Sequence, residues 1–213
     1  MSDRANPPRL PWLIAAVALI VFIIAGLIGG PTAAHDVELI RTLGAERTAH
    51  PALTLLAITV TNIGGAPGMI AILVAVIGVL AFQRRWKKAA VFGGIALGGR
   101  VVVELVKLLV DRPRPSFGPY PVSVSSLSFP SAHAANSMIT FLAIAMLVVP
   151  TRYRVVASLA ALLLSGIIGV TRPYLGVHWP SDIVGGWAFG IGWVIMLARA
   201  SGYWLASDEF RSV

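Results

Sequence analysis

Six long apolar runs, separated by short connections rich in charge, glycine and proline, set the pattern of this chain. They lie at about Pro11–Gly30, Gly65–Phe82, Ala89–Val110, Ala134–Val149, Val155–Val170 and Ile183–Ala198. Each is long enough, or nearly so, for a helix to cross the hydrocarbon of a bilayer, which takes about 20 residues. The pattern predicts an all-α polytopic membrane protein, a six-helix transmembrane bundle forming a single domain over residues 1–213. A further apolar stretch, Pro51–Thr61, is too short to cross alone, and Gly64, Gly65 and Pro67 break it from the run that follows. It is expected to form an additional short interfacial or re-entrant helix. The first run is longer than the roughly 7–15 apolar residues of a secretory signal. It therefore reads as a retained span, although Ala33 and Ala34 faintly resemble a cleavage site.

Composition supports the membrane reading. Only 12% of the residues are charged, about half of what a soluble domain carries, so no soluble domain is expected. The net charge of +8 would suggest nucleic acid in a soluble protein. Here the basic residues lie in connections between apolar runs, where membrane topology explains them and no nucleic-acid partner is needed. The absence of cysteine excludes disulfides, thiolate metal sites and a cysteine nucleophile. With six crossings, Arg4, Arg9, Arg84, Arg85, Lys87, Lys88, Arg152, Arg154, Arg199 and Arg211 all fall on one side, ten of the seventeen basic residues. Cytoplasmic loops carry such an excess. The expected placement is a cell (inner or plasma) membrane, with cytoplasmic termini. Lys107, Arg112, Arg114 and Arg172 then lie toward the periplasmic or extracellular face, against the rule. Exceptions of this kind mark function.

Arg100, Glu104 and Lys107 share one face of the third run at helical spacing. That face should point into the bundle, with Glu104 pairing to Arg100 and Lys107; a snorkelling lysine with a structural ion pair is the plainer alternative. Asp111-Arg112-Pro113-Arg114-Pro115 follows, two guanidiniums on a proline-stiffened turn suited to phosphate oxygens or to lipid headgroups. In Phe129-Pro130-Ser131-Ala132-His133, Ser131 is a candidate N-cap, and a helix start offers N–H groups to an anion. In Thr171-Arg172-Pro173-Tyr174-Leu175-Gly176-Val177-His178-Trp179-Pro180-Ser181-Asp182, His178 and Asp182 are four apart. A helix containing both would let the carboxylate reach the imidazole and leave the other ring nitrogen as base or nucleophile. Each motif alone has a structural explanation. Together they place cations, two histidines and a His/Asp pair at one membrane face, the set a phosphoryl group needs.

The set resembles the type 2 phosphatidic acid phosphatase superfamily, in its membrane lipid-phosphatase branch. The resemblance rests on Lys107, six residues, Arg114-Pro115; then Pro130-Ser131-Ala132-His133; then Thr171-Arg172, five residues, His178, three residues, Asp182. Ala132 stands where that family has glycine, and Thr171 where it has serine. The resemblance implies that His178 attacks phosphorus, oriented by Asp182, and that His133 protonates the leaving oxygen. It implies phosphate contacts from Lys107, Arg114, Arg172, Ser131 and the Ala132 backbone, with Arg112 as a possible additional contact, and no metal or other cofactor. The expected function is hydrolysis of a lipid phosphate or diphosphate, with phosphatidylglycerophosphate, undecaprenyl diphosphate and phosphatidic acid as candidates. Transfer of the phosphate to a second lipid, and non-enzymatic headgroup binding or transport, stay open as alternatives. So does the oligomeric state. Pro51–Thr61 and residues 116–128 are expected to set specificity; Ser123-Val124-Ser125-Ser126 could line the pocket or be plain loop, and plain loop is the reading preferred. Gly185 and Gly186 are expected to serve packing within the bundle.

Overall fold

A computed structural model describes residues 9–202 of the chain. Among these the order is α1 (Leu10–Ile28), α2 (Ala34–Ala49), α3 (Pro51–Gly64), α4 (Ala66–Phe82), α5 (Trp86–Val110), α6 (Ala132–Ala143), α7 (Arg154–Tyr174) and α8 (Pro180–Ala200). A π-helical turn, Ile144–Val148, continues α6, and a 3₁₀ turn, Thr151–Tyr153, leads into α7. Glycine and proline punctuate them as the sequence suggests. Proline opens α1, α3, α4 and α8, where the missing N–H costs nothing.

The six apolar runs occupy α1, α4, α5, α6 with its π turn, α7 and α8. By length and composition α1, α5, α7 with its 3₁₀ turn, and α8 can each cross a bilayer alone. Ala132–Val148 is apolar but shorter. The stretch expected at Pro51–Thr61 extends to Gly64 and meets α4 at a 43° bend, so the two form a broken span or a re-entrant pair. The polar helix α2 was not anticipated; its sequence, AHDVELIRTLGAERTA, has no sustained apolar stripe.

The protein is a multi-pass membrane protein, and its burial pattern is inverted accordingly. Leu13, Leu27, Leu109 and Val155 are exposed, while Asp36, Lys107, Arg172, His178 and Asp182 are buried. Lipid accepts the apolar surface, whereas charge must be satisfied inside. The apolar core, including Leu80, Phe92, Ile139, Leu147 and Val194, joins α4, α5, α6, α7 and α8. Helix α8 lies against α1 and α6. Gly186 permits the α6 contact, because a Cβ there would stand 2.8 Å from the Ser131 carbonyl oxygen. Gly185 similarly faces the Phe129 ring. Their packing role within the bundle is thus visible.

The ends of the bundle differ in character. The end of α5, the starts of α6 and α8, and the end of α7 bring the motif residues together. The opposite end carries Arg9, Arg84, Arg85, Lys87, Lys88, Arg152, Arg154 and Arg199. Arg4 and Arg211, assigned to that basic side from sequence, lie outside the described residues.

Candidate active site

Three short segments converge at the motif end. Asp111 closes α5 in a left-handed conformation, φ 49°, and the chain then runs irregularly from Arg112 to Ser131. The α7–α8 connection turns at Gly176, φ +74°, a conformation that favours glycine. Beyond that turn His178 meets Arg114 and Ser128 of the connection that follows α5. The Ser131 N–H donates to the Asp182 carbonyl at 3.0 Å, joining the start of α6 to the start of α8.

Asp182 is the third residue of α8 and is fully buried. Its Oδ2 accepts from the Trp179 N–H at 2.9 Å, from Ser128 Oγ at 2.5 Å and from His178 Nδ1 at 3.2 Å. Its Oδ1 accepts from Arg112 Nη1 at 2.8 Å. The His178–Asp182 contact foreseen from spacing therefore exists, but not as two residues within one helix. His178 precedes α8, and the carboxylate reaches back across the helix start to meet it.

The hydrogen bond to Asp182 places the ring proton on Nδ1 and leaves Nε2 unprotonated. Arg114 Nη1 stands 3.0 Å from that Nε2, consistent with a neutral ring accepting from a guanidinium. Burial, then the nearby Arg114 and Arg172 charges, hold the His178 pKa well below the ordinary 6.5. A neutral imidazole with its outer nitrogen unprotonated has the form of a nucleophile.

Around it lies a cavity of about 310 Å³, lined by Lys107, Arg114, Ala132, His133, Arg172 and His178 among others. Lys107 Nζ donates to the Leu127 carbonyl at 2.5 Å. Arg114 grips the Val177 and Ser126 carbonyls, each at 2.6 Å. Arg172 Nη1 donates to Thr61 Oγ1 at 2.9 Å, while its buried Nε has no hydrogen-bond partner. Ser131 is the N-cap residue of α6, but its buried Oγ makes no hydrogen bond to the helix or elsewhere among the described residues. Ala132 opens α6 with no positive φ, so alanine is unstrained where the resemblance has glycine.

Three expectations need correction. Arg112 does not line the cavity. It is buried, donates to Asp182, Ser181 and the Ala25 and Gly26 carbonyls, and its guanidinium lies over the Phe129 ring at 4.4 Å. Its hydrogen bonds thus all go to protein atoms. Glu104 does not clamp Arg100 and Lys107: all three line the cavity, and the Lys107 ammonium is held by a carbonyl instead. Ser123, Val124, Ser125 and Ser126 are loop residues, but all four line the cavity, and Ser126 also binds Arg114.

Asp36, Thr61, Ser128 and Ser181 were missed. Asp36 on α2 is fully buried and accepts from the Gly30 N–H at 2.6 Å, from the Ser181 N–H at 3.2 Å and from the Ser181 hydroxyl. Ser181 in turn accepts from Arg112 at 3.1 Å. A chain of contacts thus runs from Asp36 through Ser181 and Arg112 to Asp182 and His178. No signal in the sequence singled out Asp36, which lies in a polar connection beside His35 and Glu38.

Residues 87–205 match the model of the PAP2 superfamily. The chain is 28% identical over 141 residues to phosphatidylglycerophosphatase B of Bacillus subtilis, covering 62% of this chain and 67% of that protein. It is 35% identical over 121 residues to the lipid A 1-phosphatase of Rhizobium etli, covering 53% and 49%. It is 33% identical over 122 residues to the decaprenylphosphoryl-5-phosphoribose phosphatase of Mycobacterium tuberculosis, covering 56% and 64%. The matched segment thus spans about half to two thirds of these relatives. The crystal structure of a transmembrane PAP2-type phosphatidylglycerolphosphate phosphatase from Bacillus subtilis superimposes with a TM-score of 0.78 over 92% of this chain and 97% of that one. At 22% identity, that likeness shows the fold.

Proposed function

The chain belongs to the PAP2 superfamily, and from that premise we propose that it is a metal-independent membrane phosphatase hydrolysing a lipid phosphate or diphosphate through a phosphohistidine. The observation that carries this is the His178 ring. Its Nδ1 is held by Asp182, and its Nε2 meets Arg114 at a cavity lined by Arg100, Lys107, Arg114, Arg172 and a second histidine.

In the first step the Nε2 lone pair attacks phosphorus as the bond from phosphorus to the lipid oxygen breaks. His133 gives a proton to that departing oxygen, and Asp182 stabilises the charge arising on the His178 ring. Lys107, Arg114 and Arg172 meet the phosphoryl oxygens, together with Ser131 Oγ and backbone N–H groups at the start of α6. For Arg114 this means exchanging its contact with Nε2 for one with phosphate, which frees the nucleophile as the substrate arrives. In the second step His133 takes a proton from water, the water oxygen attacks phosphorus, and the bond from Nε2 to phosphorus breaks. Inorganic phosphate leaves. Arg112 is assigned a positioning role, holding Asp182.

The site is assigned to the periplasmic or extracellular face, because the opposite end of the bundle carries the basic loops. A substrate whose tails stay in lipid suits that position. The relatives' names specify phosphatases of lipid-borne phosphates.

The test is release of inorganic phosphate from lipid phosphates by the purified protein with chelator present. His178→Asn should abolish it, and labelled substrate should leave acid-labile, alkali-stable label on the wild-type protein. Full release by H178N, or dependence on an added metal, would overturn the reading. Release without any lipid acceptor separates hydrolysis from strict phosphate transfer.

A further inference from the structure

The proposed mechanism employs Lys107, Arg114 and Arg172, and Arg112 holds Asp182. Two further arginines at the same end of the bundle have no part in it. Arg41 and Arg47 lie on α2 and line a separate cavity of about 580 Å³, between α2, the 117–120 loop and the turn at Gly176. It is larger than the catalytic cavity and shares no lining residue with it. No acidic residue lines it.

Both guanidiniums are held in place without being neutralised. Arg47 Nη1 donates to the Tyr174 carbonyl at 3.1 Å. It lies against the bare backbone of Gly176, where a Cβ would stand 2.6 Å from Nη1. The Arg41 guanidinium lies over the Phe117 ring, 5.2 Å from its centroid. It makes no hydrogen bond or ion pair among the described residues. Glu46, the acid next to Arg47 in sequence, meets His50 at 3.3 Å and does not line the cavity. The hydroxyls of the lining are already engaged as donors. Thr48 donates to the Gly44 carbonyl at 3.0 Å and Tyr120 to the Pro115 carbonyl at 2.5 Å. The side-chain donors that remain are guanidinium N–H groups, whose planar forks match anionic oxygens. Two like charges on one concavity repel, and an anion between them offsets that repulsion.

We infer that this cavity is a second anion site, taking a phosphate group between Arg41 and Arg47. Both guanidiniums are positioned beforehand, which reduces the ordering cost of binding. Phosphate reaches this face from two sources: the headgroups of the bilayer, and inorganic phosphate released from the catalytic cavity. The second source rests on the phosphatase reading; the first does not.

The chain has no cysteine, so one introduced thiol reports on this cavity alone. Gly44 lines it, and a Cβ there meets nothing within 4 Å. The full-length Gly44→Cys protein, in nanodiscs of phosphatidylcholine, is treated with a small neutral thiosulfonate, and the rate of thiol modification is followed. Inorganic phosphate should slow the modification, whereas sodium chloride at equal ionic strength should not. Replacing part of the phosphatidylcholine by phosphatidylglycerol, with no free phosphate, reads the headgroup source in the same way. Adding Arg41→Gln should raise the amount of anion needed for protection about fivefold, the upper end for an exposed ion pair. Arg41→Lys should restore most of the protection. Protection by either source that R41Q weakens supports the site and identifies where its phosphate comes from. Protection by neither source, or protection that R41Q leaves unchanged, overturns it. The readout needs no turnover, so it is independent of whether H178N abolishes phosphate release.

Discussion

At the scale of the residue, Asp182 is the most constrained group in the site. It is fully buried and accepts from an arginine, a serine, a backbone N–H and His178. A carboxylate removed from water is tolerable only when its lone pairs are so occupied. The same saturation leaves it little freedom, so it holds the His178 ring in one orientation and one tautomer. Asp182→Asn puts an amide donor among those donors. It should lower kcat by up to about 10⁴-fold, the loss seen when a catalytic histidine loses its orienting carboxylate, with a smaller change in KM. A change confined to KM would contradict this role.

His178 also makes a signed prediction about pH. In the proposed mechanism its ring must be neutral to attack, and burial with the Arg114 charge lowers its pKa well below 6.5. The His178-dependent limb of kcat/KM should therefore lie below pH 6.5, with activity lost only as pH falls through that lower value. Arg114→Gln removes a cation that disfavours ring protonation. Besides lowering the rate, it should move this limb upward toward 6.5. A limb that moved down in R114Q, measured against pH with a substrate of fixed ionisation, would count against the assignment.

At the scale of the element, the helix that sequence patterning missed ties the site together. Helix α2 buries Asp36 and Ile40, and Asp36 meets the start of α8 through the Ser181 N–H and hydroxyl. It acts as a helix cap supplied from another element, since the side chain of the α8 N-cap residue, Trp179, has no oxygen to accept the Ser181 N–H. Asp36→Asn replaces one acceptor oxygen by a donor facing donors. It should cost about 1–3 kcal/mol, read as a lower melting temperature in detergent, and should lower kcat through Ser181, Arg112 and Asp182. Undiminished stability and kcat would show that α2 does not brace the site. Hydropathy could not reveal this. Apolar periodicity reports which face of a helix is buried in bulk, whereas α2 is tied in by polar contacts of Asp36 and Arg47 as well as by Ile40 and Leu43.

At the scale of the whole molecule, the candidate site residues are gathered at one end and the basic loops at the other. Positive loop charge predicts that the basic end is cytoplasmic. The chain has no cysteine, so single substitutions can report this cleanly. Glu38→Cys, on exposed α2, should react with a membrane-impermeant maleimide on intact cells. Gln83→Cys, in the exposed α4–α5 turn, should react only after permeabilisation. The reverse pattern would place the site on the cytoplasmic face.

Sequence alone determined the all-helical membrane character, the positions of the apolar runs and the motif residues, because these depend on composition and on spacing along one chain. It could not determine how the segments meet. Helical spacing suggested that Glu104 pairs with Lys107 and that His178 and Asp182 share a helix. Tertiary contacts decided both otherwise, since the Leu127 carbonyl holds the lysine and the aspartate reaches back across a helix start. Arg112 looked equivalent to Arg114, two residues away on the same stiff turn. The structure sends one guanidinium to Asp182 and the other toward His178 Nε2. Which neighbour a buried charge finds depends on groups far away in sequence, such as Ala25, Asp36, Thr61 and Ser128, and no local pattern encodes that meeting.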